Sequence, residues 1–420
     1  MANKYLSRIC DSLILRQLAS SGAVLIEGAK WCGKTCSARQ VAKSILYMQD
    51  PDRSQGYLKM AQTMPSRLLI GDNPRLLDEW QMVPVLWDAV RFEVDKRSER
   101  GLFILTGSAE PKDGVTAHTG TGRISRMLMR PMSLFESEES NGSVSLSQLF
   151  AGETDVIGES TLTIPDLAKI ICRGGWPEAV INGDSDSLVA RNYVDAVINM
   201  DIQRVDDVER NPARVRQFLR SYARNISTMA PLTTILADVR SNDIGFSDTT
   251  MYSYVNALRR IFVIEDIPAW KPSLRSKTAI RTSDKRQFVD PSIAAALMHA
   301  NIESILNDIN YLGFLFESLA ARDLRIYAQS LDGDIFHYHD KSDLEADLVI
   351  RLHDGRWAPV EVKLGSKEIE IGAANLIALQ KKIDTDKAGQ PSFKMILTGG
   401  QFAYKRDDGV IVVPIGCLKP

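Results

Sequence analysis

The sequence predicts an α/β protein: a parallel-sheet domain, then a winged-helix-like middle domain, then a second α/β domain at the C-terminal end. Three observations predict it. Short apolar runs alternate with amphipathic helical stretches in the first third of the chain. A glycine-rich loop, Gly28 to Thr35, joins the first of those runs to a helix. Far downstream, Asp347, Glu361 and Lys363 sit on neighbouring strand-like runs.

The bulk composition sets the frame. A chain of 420 residues is too long for one ordinary core. Its apolar fraction of 44% and charged fraction of 25% are those of a water-soluble globular protein. No apolar run approaches the ~18 residues that span a bilayer, and the N-terminus lacks an apolar stretch behind its charge. No membrane association is expected. The five cysteines, Cys10, Cys32, Cys36, Cys172 and Cys417, are odd in number and unpatterned. They suit a reducing cytoplasm better than a disulfide framework or a zinc module.

The elements follow in order. Tyr5 to Ser20 has apolar residues at helical spacing. Ala23 to Ile26 is too short for a helix and is bounded by glycines, so it is a buried strand. Lys34 to Lys43 is a helix. Ser44 to Met48, Arg75 to Asp78 and Leu102 to Thr106 are further strands, and Arg126 to Leu134 is a fifth. Strands that alternate with helices imply a parallel sheet with both faces covered. The domain is bounded at 1–148. Helices at Ile164 to Arg173 and Ser187 to Val205 fall in a helical linker or lid, 149–210.

A winged-helix-like domain is placed at 211–295. Thr233 to Val239 and Ser247 to Arg260 are its helices, with Ser247 as N-cap of the second. Phe262 to Ile267 alternates like a strand. From Asn211 to Asp290 there are 13 Lys and Arg against 7 Asp and Glu, in a chain whose net charge is −2. The basic island points to DNA as a partner. Lys271, Arg275, Lys277, Arg281, Lys285 and Arg286 are expected on the wing, where they would contact phosphates without reading sequence. Trp270 beside them is either a base-stacking residue or core.

The loop Gly28-Ala-Lys-Trp-Cys-Gly33-Lys34-Thr35 fits G-x-x-x-x-G-K-[ST], between a strand and a helix. The pattern is that of a cradle for ATP and Mg²⁺. Gly28 and Gly33 allow backbone conformations that a Cβ blocks. The backbone of Lys30, Trp31, Cys32, Lys34, Thr35 and Cys36 then meets phosphates at a helix N-terminus. Lys34 supplies a charge, and Thr35 a hydroxyl for Mg²⁺. Asp78, ending an apolar strand, would complete the metal shell, and Glu79 would polarise the attacking water. Ser108 either senses the γ-phosphate or ends a strand-terminal turn. Arg123, Arg126 and Arg130 are candidates to neutralise charge during hydrolysis.

At the other end, Asp347 and Glu361-Val-Lys363 form the D…E-x-K pattern of metal-dependent nucleases. Asp347 and Glu361 would hold Mg²⁺, and Lys363 would position hydroxide. A three-residue loop, His353-Asp354-Gly355, pairs Asp347 with Glu361 on one face; it needs Gly at its third place. Glu317, in the helix before, is a further carboxylate or a surface acid. His337 and His339 share one strand face, with or without a metal. The 296–420 segment is thus either a cleaving domain or a DNA-binding platform.

Taken together, the chain resembles the bacterial and archaeal AAA+-type ATP-binding proteins that carry a C-terminal region of PD-(D/E)XK nuclease type. The residues that carry the resemblance are Gly28 to Thr35, Leu76 to Gln81, Leu105 to Ser108, Gly122-Arg123 leading to Pro131 to Glu136, Gly174 to Glu178, Asp290-Pro291, Phe316-Glu317, Glu345 to Asp347 and Glu361 to Lys363. The resemblance implies a P-loop ATPase domain, a winged-helix-like middle and a nuclease-like end. It also makes Arg123 the best candidate for an arginine finger; if that arginine acts from a neighbouring subunit, the protein must oligomerise. The leading function at this point is an ATP-driven DNA helicase or translocase working as a ring of identical subunits; the alternatives are an ATP-gated switch that binds a protein partner and a metal-dependent nuclease regulated by ATP.

Overall fold

The computed structural model describes residues 5–110, 119–183, 187–206, 208–241, 243–272, 283–383 and 388–420. The chain forms two compact units. One comprises residues 1–131, 199–210 and 255–263; the other comprises 132–198, 211–254 and 264–420. The opening stretch of the first unit therefore ends at Pro131 rather than at 148, and the unit also takes in the end of the expected helical linker and residues 255–263 of the expected winged-helix-like domain.

The first unit runs α1 (Ile9–Ser20), β1 (Ala23–Glu27), α2 (Lys34–Val41), β2 (Ser44–Tyr47), α3 (Ser54–Thr63), β3 (Arg75–Asp78), α4 (Val85–Arg97), β4 (Phe103–Gly107) and β5 (Ile124–Leu128). All five strands are parallel, in the order β2-β3-β4-β1-β5. The central strands β1 and β4 are apolar at successive positions because both faces are covered. One face packs on a cluster around Trp80, Trp87, Leu86 and Val90; the other packs on Ile14, Leu18, Ala38 and Met127. β5 ends at Leu128, earlier than the expected 134. The chain leaves the sheet by Pro131, and the stretch from Met132 to Ile198 belongs to the second unit.

The second unit begins with β6 (Val144–Ser145), α5 (Leu146–Phe150), β7 (Gly158–Glu159), α6 (Ile164–Arg173), α7 (Pro177–Asn182) and α8 (Leu188–Ala196). Next come α9 (Pro212–Arg224), α10 (Leu232–Arg240) and α11 (Asp248–Arg260), whose last residues fall in the first unit. Ser247 caps α11, accepting from the Thr250 amide at 3.1 Å. The expected strand Phe262 to Ile267 is absent. Phe262 has φ +58, and two isolated antiparallel bridges, Ile264 to Phe288 and Ile267 to Lys285, take the strand's place. Arg275, Lys277 and Arg281 lie outside the described residues.

The unit ends with α12 (Pro291–Leu297), α13 (Ile302–Asn307), α14 (Ile309–Ser330), β8 (Gly333–His339), β9 (Glu345–Leu352), β10 (Trp357–Lys363), α15 (Ile369–Lys382), β11 (Lys394–Thr398), β12 (Phe402–Lys405), β13 (Val410–Pro414) and β14 (Leu418–Lys419). Seven strands form a mixed sheet, β7-β12-β13-β11-β10-β9-β8. The hairpin of β9 and β10 has the expected register. The Leu352 amide donates to the Arg356 carbonyl at 2.9 Å, and Gly355 has φ +96. Val360 pairs with Leu348, so the next step sets Glu361 opposite Asp347.

Among the described residues, no helix is long and apolar enough to cross a membrane.

Candidate functional site

The phosphate loop begins where β1 ends. Gly28 has φ +149, and a Cβ there would lie 2.1 Å from the Met129 carbonyl oxygen. No side chain fits, so the glycine is demanded by close approach as well as by dihedral. Gly33, at φ +103, is the left-handed residue that opens α2. Lys34 is buried, and its ammonium donates to the carbonyls of Gly28 and Ala29 at 2.8 Å each. The loop thus curls around its own cation, which is the arrangement a polyphosphate cradle needs.

The intervening residues have separate tasks. Cys32 is buried, with its thiol 3.4 Å from the Met129 carbonyl; Cys36 is exposed on α2. Trp31 is half-exposed at φ +65, a conformation costly for a bulky residue. The Lys30 ammonium lies 2.5 Å from Asp201, in the segment that returns to this unit. Arg8 was not singled out from the sequence, yet it is buried and donates to the Cys32 carbonyl at 2.8 Å and to the Arg130 carbonyl at 2.7 Å. It braces the loop from beneath. Its position outside any motif left no signal.

Strand order brings the other groups in. Because β4 lies between β1 and β3, the end of β4 separates the loop from Asp78 and Glu79. Asp78 Oδ1 accepts from Thr35 Oγ1 at 2.7 Å and from Thr106 Oγ1 at 2.7 Å. Thr106 also accepts from the Glu79 amide at 3.1 Å. Thr35 and Asp78 are therefore already joined, and both present oxygen to one point, as a Mg²⁺ shell requires. The residues present fit ATP and Mg²⁺.

Glu79 sits at φ +55, at the turn after β3. Its carboxylate accepts from Ser108 Oγ at 3.0 Å and, more closely, from the Gln81 side-chain amide. Gln81 also reaches Ser108 at 3.4 Å. Ser108 thus contacts the glutamate, and Gln81, the last residue of the Leu76 to Gln81 segment and one with no role assigned from the sequence, completes a clamp. A charge-assisted hydrogen bond of about 1.5 kcal/mol is worth roughly tenfold in population. Gln81→Ala should therefore raise basal phosphate release by up to about tenfold. An unchanged or lower rate in steady-state assays would mean that Gln81 does not restrain Glu79.

The arginines divide. The Arg123 carbonyl accepts from the Ala23 amide at 3.1 Å, at the start of β1. The phosphate loop is at the end of β1, ~16 Å away at about 3.3 Å per residue. Arg123 instead pairs with Asp95 at 2.7 Å. It does not reach the loop of its own chain, which corrects any role within one subunit. Arg126 pairs with Glu27 at 3.4 Å and lies over the Trp87 ring. Burial pushes the Glu27 carboxyl up to about 6, against the pull of Arg126.

The second constellation lies in the other unit. Lys363 is 2.7 Å from Glu361 and 3.3 Å from Asp347. Asp347 also accepts from the Val362 amide at 2.8 Å. Glu317 is buried, not a surface acid, and its partner is Lys285 at 2.6 Å. Lys285 is buried too, 3.7 Å from Asp347 Oδ1 and 3.1 Å from the Asp347 carbonyl. Burial pushes Glu317 up to about 7 and, with the charge of Asp347, Glu361 up to about 8. Burial acts upward on Asp347 as well, but Lys285, Lys363 and the Val362 amide hold it below the usual carboxylate range.

Two expectations are corrected here. Lys285 and Arg286 do not face a phosphate backbone. Arg286 is buried and pairs with Asp266 at 2.7 Å. An unpaired buried charge is costly, so these cations are drawn to acids inside the unit. Of the six basic residues, Lys271 alone is both described and exposed; Trp270 beside it is core, against Trp357. The second correction concerns metal. Among the described residues, no group of three or more His, Cys, Asp or Glu is arranged to hold a metal ion. Asp347, Glu361 and Glu317 face two ammonium groups instead, so Mg²⁺ does not fit there as the side chains stand. His337 is buried, its ring Nε2 3.0 Å from the Ser283 carbonyl, and burial pushes it down to about 4.

Comparison with known proteins agrees with the first site. Residues 20–138 match the family model of an AAA domain. Residues 164–304 and 312–418 match two domains of unknown function, DUF8612 and DUF4143. Two uncharacterized mycobacterial proteins, Rv2008c of Mycobacterium tuberculosis and Mb2031c of Mycobacterium bovis, are each 24% identical over 361 residues, 83% of this chain and 71% of theirs. Among solved structures, the Walker-type ATPase PABY2304 of Pyrococcus abyssi aligns with 70% of this chain and 96% of its own, at 13% identity and a TM-score of 0.42, a likeness too weak to argue from. The chain carries an AAA-type P-loop domain, and that domain type is one of ATP binding and hydrolysis.

Proposed function

We propose that this protein is a Mg²⁺-dependent ATP hydrolase that works as an ATP-gated switch, its turnover held low until Glu79 is released. One observation carries the reading: Thr35, Asp78 and Thr106 converge beside the phosphate loop, while Gln81 and Ser108 hold the neighbouring carboxylate. In this reading the loop amides and Lys34 grip the β- and γ-phosphates. Thr35 and Asp78 hold Mg²⁺, which when bound neutralises charge on the phosphate oxygens. Glu79 orients the attacking water once its clamp opens. Release of the clamp would be the signal passed to a protein partner.

A second reading, a ring-forming DNA helicase or translocase, is favoured by a different observation. Helices α9 to α11 followed by antiparallel bridges have the element order of a winged helix, in the most basic part of the chain. Lys271, Arg275, Lys277 and Arg281 would be its phosphate contacts, and Arg123 would act on a neighbour's nucleotide. The burial of Lys285 and Arg286 weakens this reading, and the lysine-paired carboxylates weaken an ATP-regulated nuclease.

Phosphate release by the full chain, with no DNA, single strands or duplex, separates the two. The switch predicts the same slow rate in all three, with a native mass to match its partner state. A rate that climbs with either DNA favours the motor. Absence of calorimetric heat with a non-hydrolysable ATP analogue and Mg²⁺ sinks both.

A further inference from the structure

The carboxylates of the second site come from two elements of the C-terminal matched segment: Glu317 from α14, Asp347 and Glu361 from the β9–β10 hairpin. Lys285 does not come from that segment. It belongs to residues matched by the preceding family model. Its backbone is pinned in both directions: its amide donates to the Ile267 carbonyl at 2.9 Å, and the Ile267 amide returns the bond at 2.9 Å. A lysine so anchored reaches the carboxylates by construction, not by surface wandering. Its ammonium is 2.6 Å from Glu317, 3.7 Å from Asp347 Oδ1 and 3.1 Å from the Asp347 carbonyl. Lys363 bridges Asp347 and Glu361 from the other side. Three carboxylates therefore meet two fixed ammonium groups, one of which the D…E-x-K pattern does not contain.

We infer that Lys285 is a built-in counter-ion, delivered from the middle segment, that excludes divalent cations from the Glu317–Asp347–Glu361 site. A divalent ion that took Glu317 and Asp347 as ligands would occupy the place of the Lys285 ammonium, 2.6 Å and 3.7 Å from their oxygens, and two cations that close repel strongly in a buried site. With Lys285 seated, the acids are neutralised without metal. With its charge removed, Lys363 alone faces the three carboxylates, and a hard cation with oxygen ligands can take the place of Lys285 and displace the protons that burial favours. This inference is independent of the ATP-gated reading, since no nucleotide enters it.

The experiment is Mn²⁺ binding by electron paramagnetic resonance, on full-length protein without nucleotide. The wild-type chain should show no Mn²⁺ that depends on Asp347, its titration overlaying that of Asp347→Asn. Lys285→Met should gain one Mn²⁺ per chain, bound at least about ten times more tightly than by wild type, given the size of a charge–charge term at ~4 Å. Adding Asp347→Asn to Lys285→Met should abolish the gain. Lys285→Gln keeps length and a hydrogen-bond donor towards Glu317 but loses the charge, and it should behave like Lys285→Met if that variant folds poorly. A wild-type chain that already binds one Asp347-dependent Mn²⁺ overturns the inference, whatever the variants do. So does a folded Lys285→Met or Lys285→Gln with no gain. If neither variant folds, the wild-type titration alone decides.

Discussion

Glu79→Gln is expected to keep its nucleotide and lose its hydrolysis. The residue follows the strand whose last position, Asp78, accepts from Thr35 in the phosphate loop, so the acid stands beside the metal-binding pair without belonging to it. Gln preserves size and hydrogen bonding but cannot take a proton. General-base assistance is worth about 10²- to 10⁴-fold, so phosphate release should fall by that factor while affinity for ATP is little changed. Lys34→Ala should differ, losing binding and turnover together, because it removes the charge that faces the phosphates. The check is paired: calorimetric or fluorescent titration with ATP, and steady-state phosphate release. Normal turnover in Glu79→Gln would remove Glu79 from the water-polarising role and leave the gate at Gln81 without an object.

Arg322→Ala is expected to have the largest effect on stability. Arg322 is fully buried in the second unit, between two acids. Its guanidinium donates to Asp290 at 3.0 Å and to Asp323 at 2.9 Å. Each acid is tied further. Asp290 accepts from the Gly175 amide at 3.0 Å and caps α12 through the Ser292 amide at 2.9 Å. Asp323 accepts from the Leu134 amide at 2.9 Å. One arginine thus joins the 132–135 segment, the Gly174–Pro177 turn, α12 and α14. Burial pushes the Asp323 carboxyl up to about 6, against the pull of Arg322. Removing one partner of a buried ion pair typically costs about 3–5 kcal/mol, because the survivors stay buried and uncompensated. Folding stabilities are only about 5–15 kcal/mol, so the variant should be marginal or unfolded at physiological temperature. Urea unfolding followed by circular dichroism is the measurement. A loss below about 1 kcal/mol would show that the network is dispensable.

That network also changes how the resemblance reads. Gly174-Gly-Trp-Pro and Asp290-Pro291 look, in sequence, like motif pieces of unassigned role. In the fold they meet at Arg322: a Cβ on Gly175 would lie 2.8 Å from its guanidinium and 2.2 Å from the Met132 carbonyl oxygen. Their task is packing around a buried charge, and no spacing rule connects residues so far apart.

The parts legible in the sequence obey local rules. Gly28, Gly33, Lys34 and Thr35 lie within eight consecutive residues, and a strand-loop-helix turn has few ways to close. The register of β9 on β10 followed from one glycine, since Gly355 fixes the loop length and the loop length fixes every pair behind it. That Ser108 ends an apolar strand is legible too, but its place between the loop and Glu79 comes from the strand order, which no local rule sets.

What tertiary structure alone decided is where the charges go. Lys285 and Arg286 look like any other basic residues in a basic stretch, yet both turn inward, to Glu317 and Asp266. Arg123 precedes β5, the strand paired with β1, but stands at the opposite end of those strands from the loop, because β1 and β5 are parallel. Backbone geometry is governed by the nearest few residues. The fate of a long charged side chain is governed by which distant acid the fold brings within reach, and desolvation makes that choice decisive.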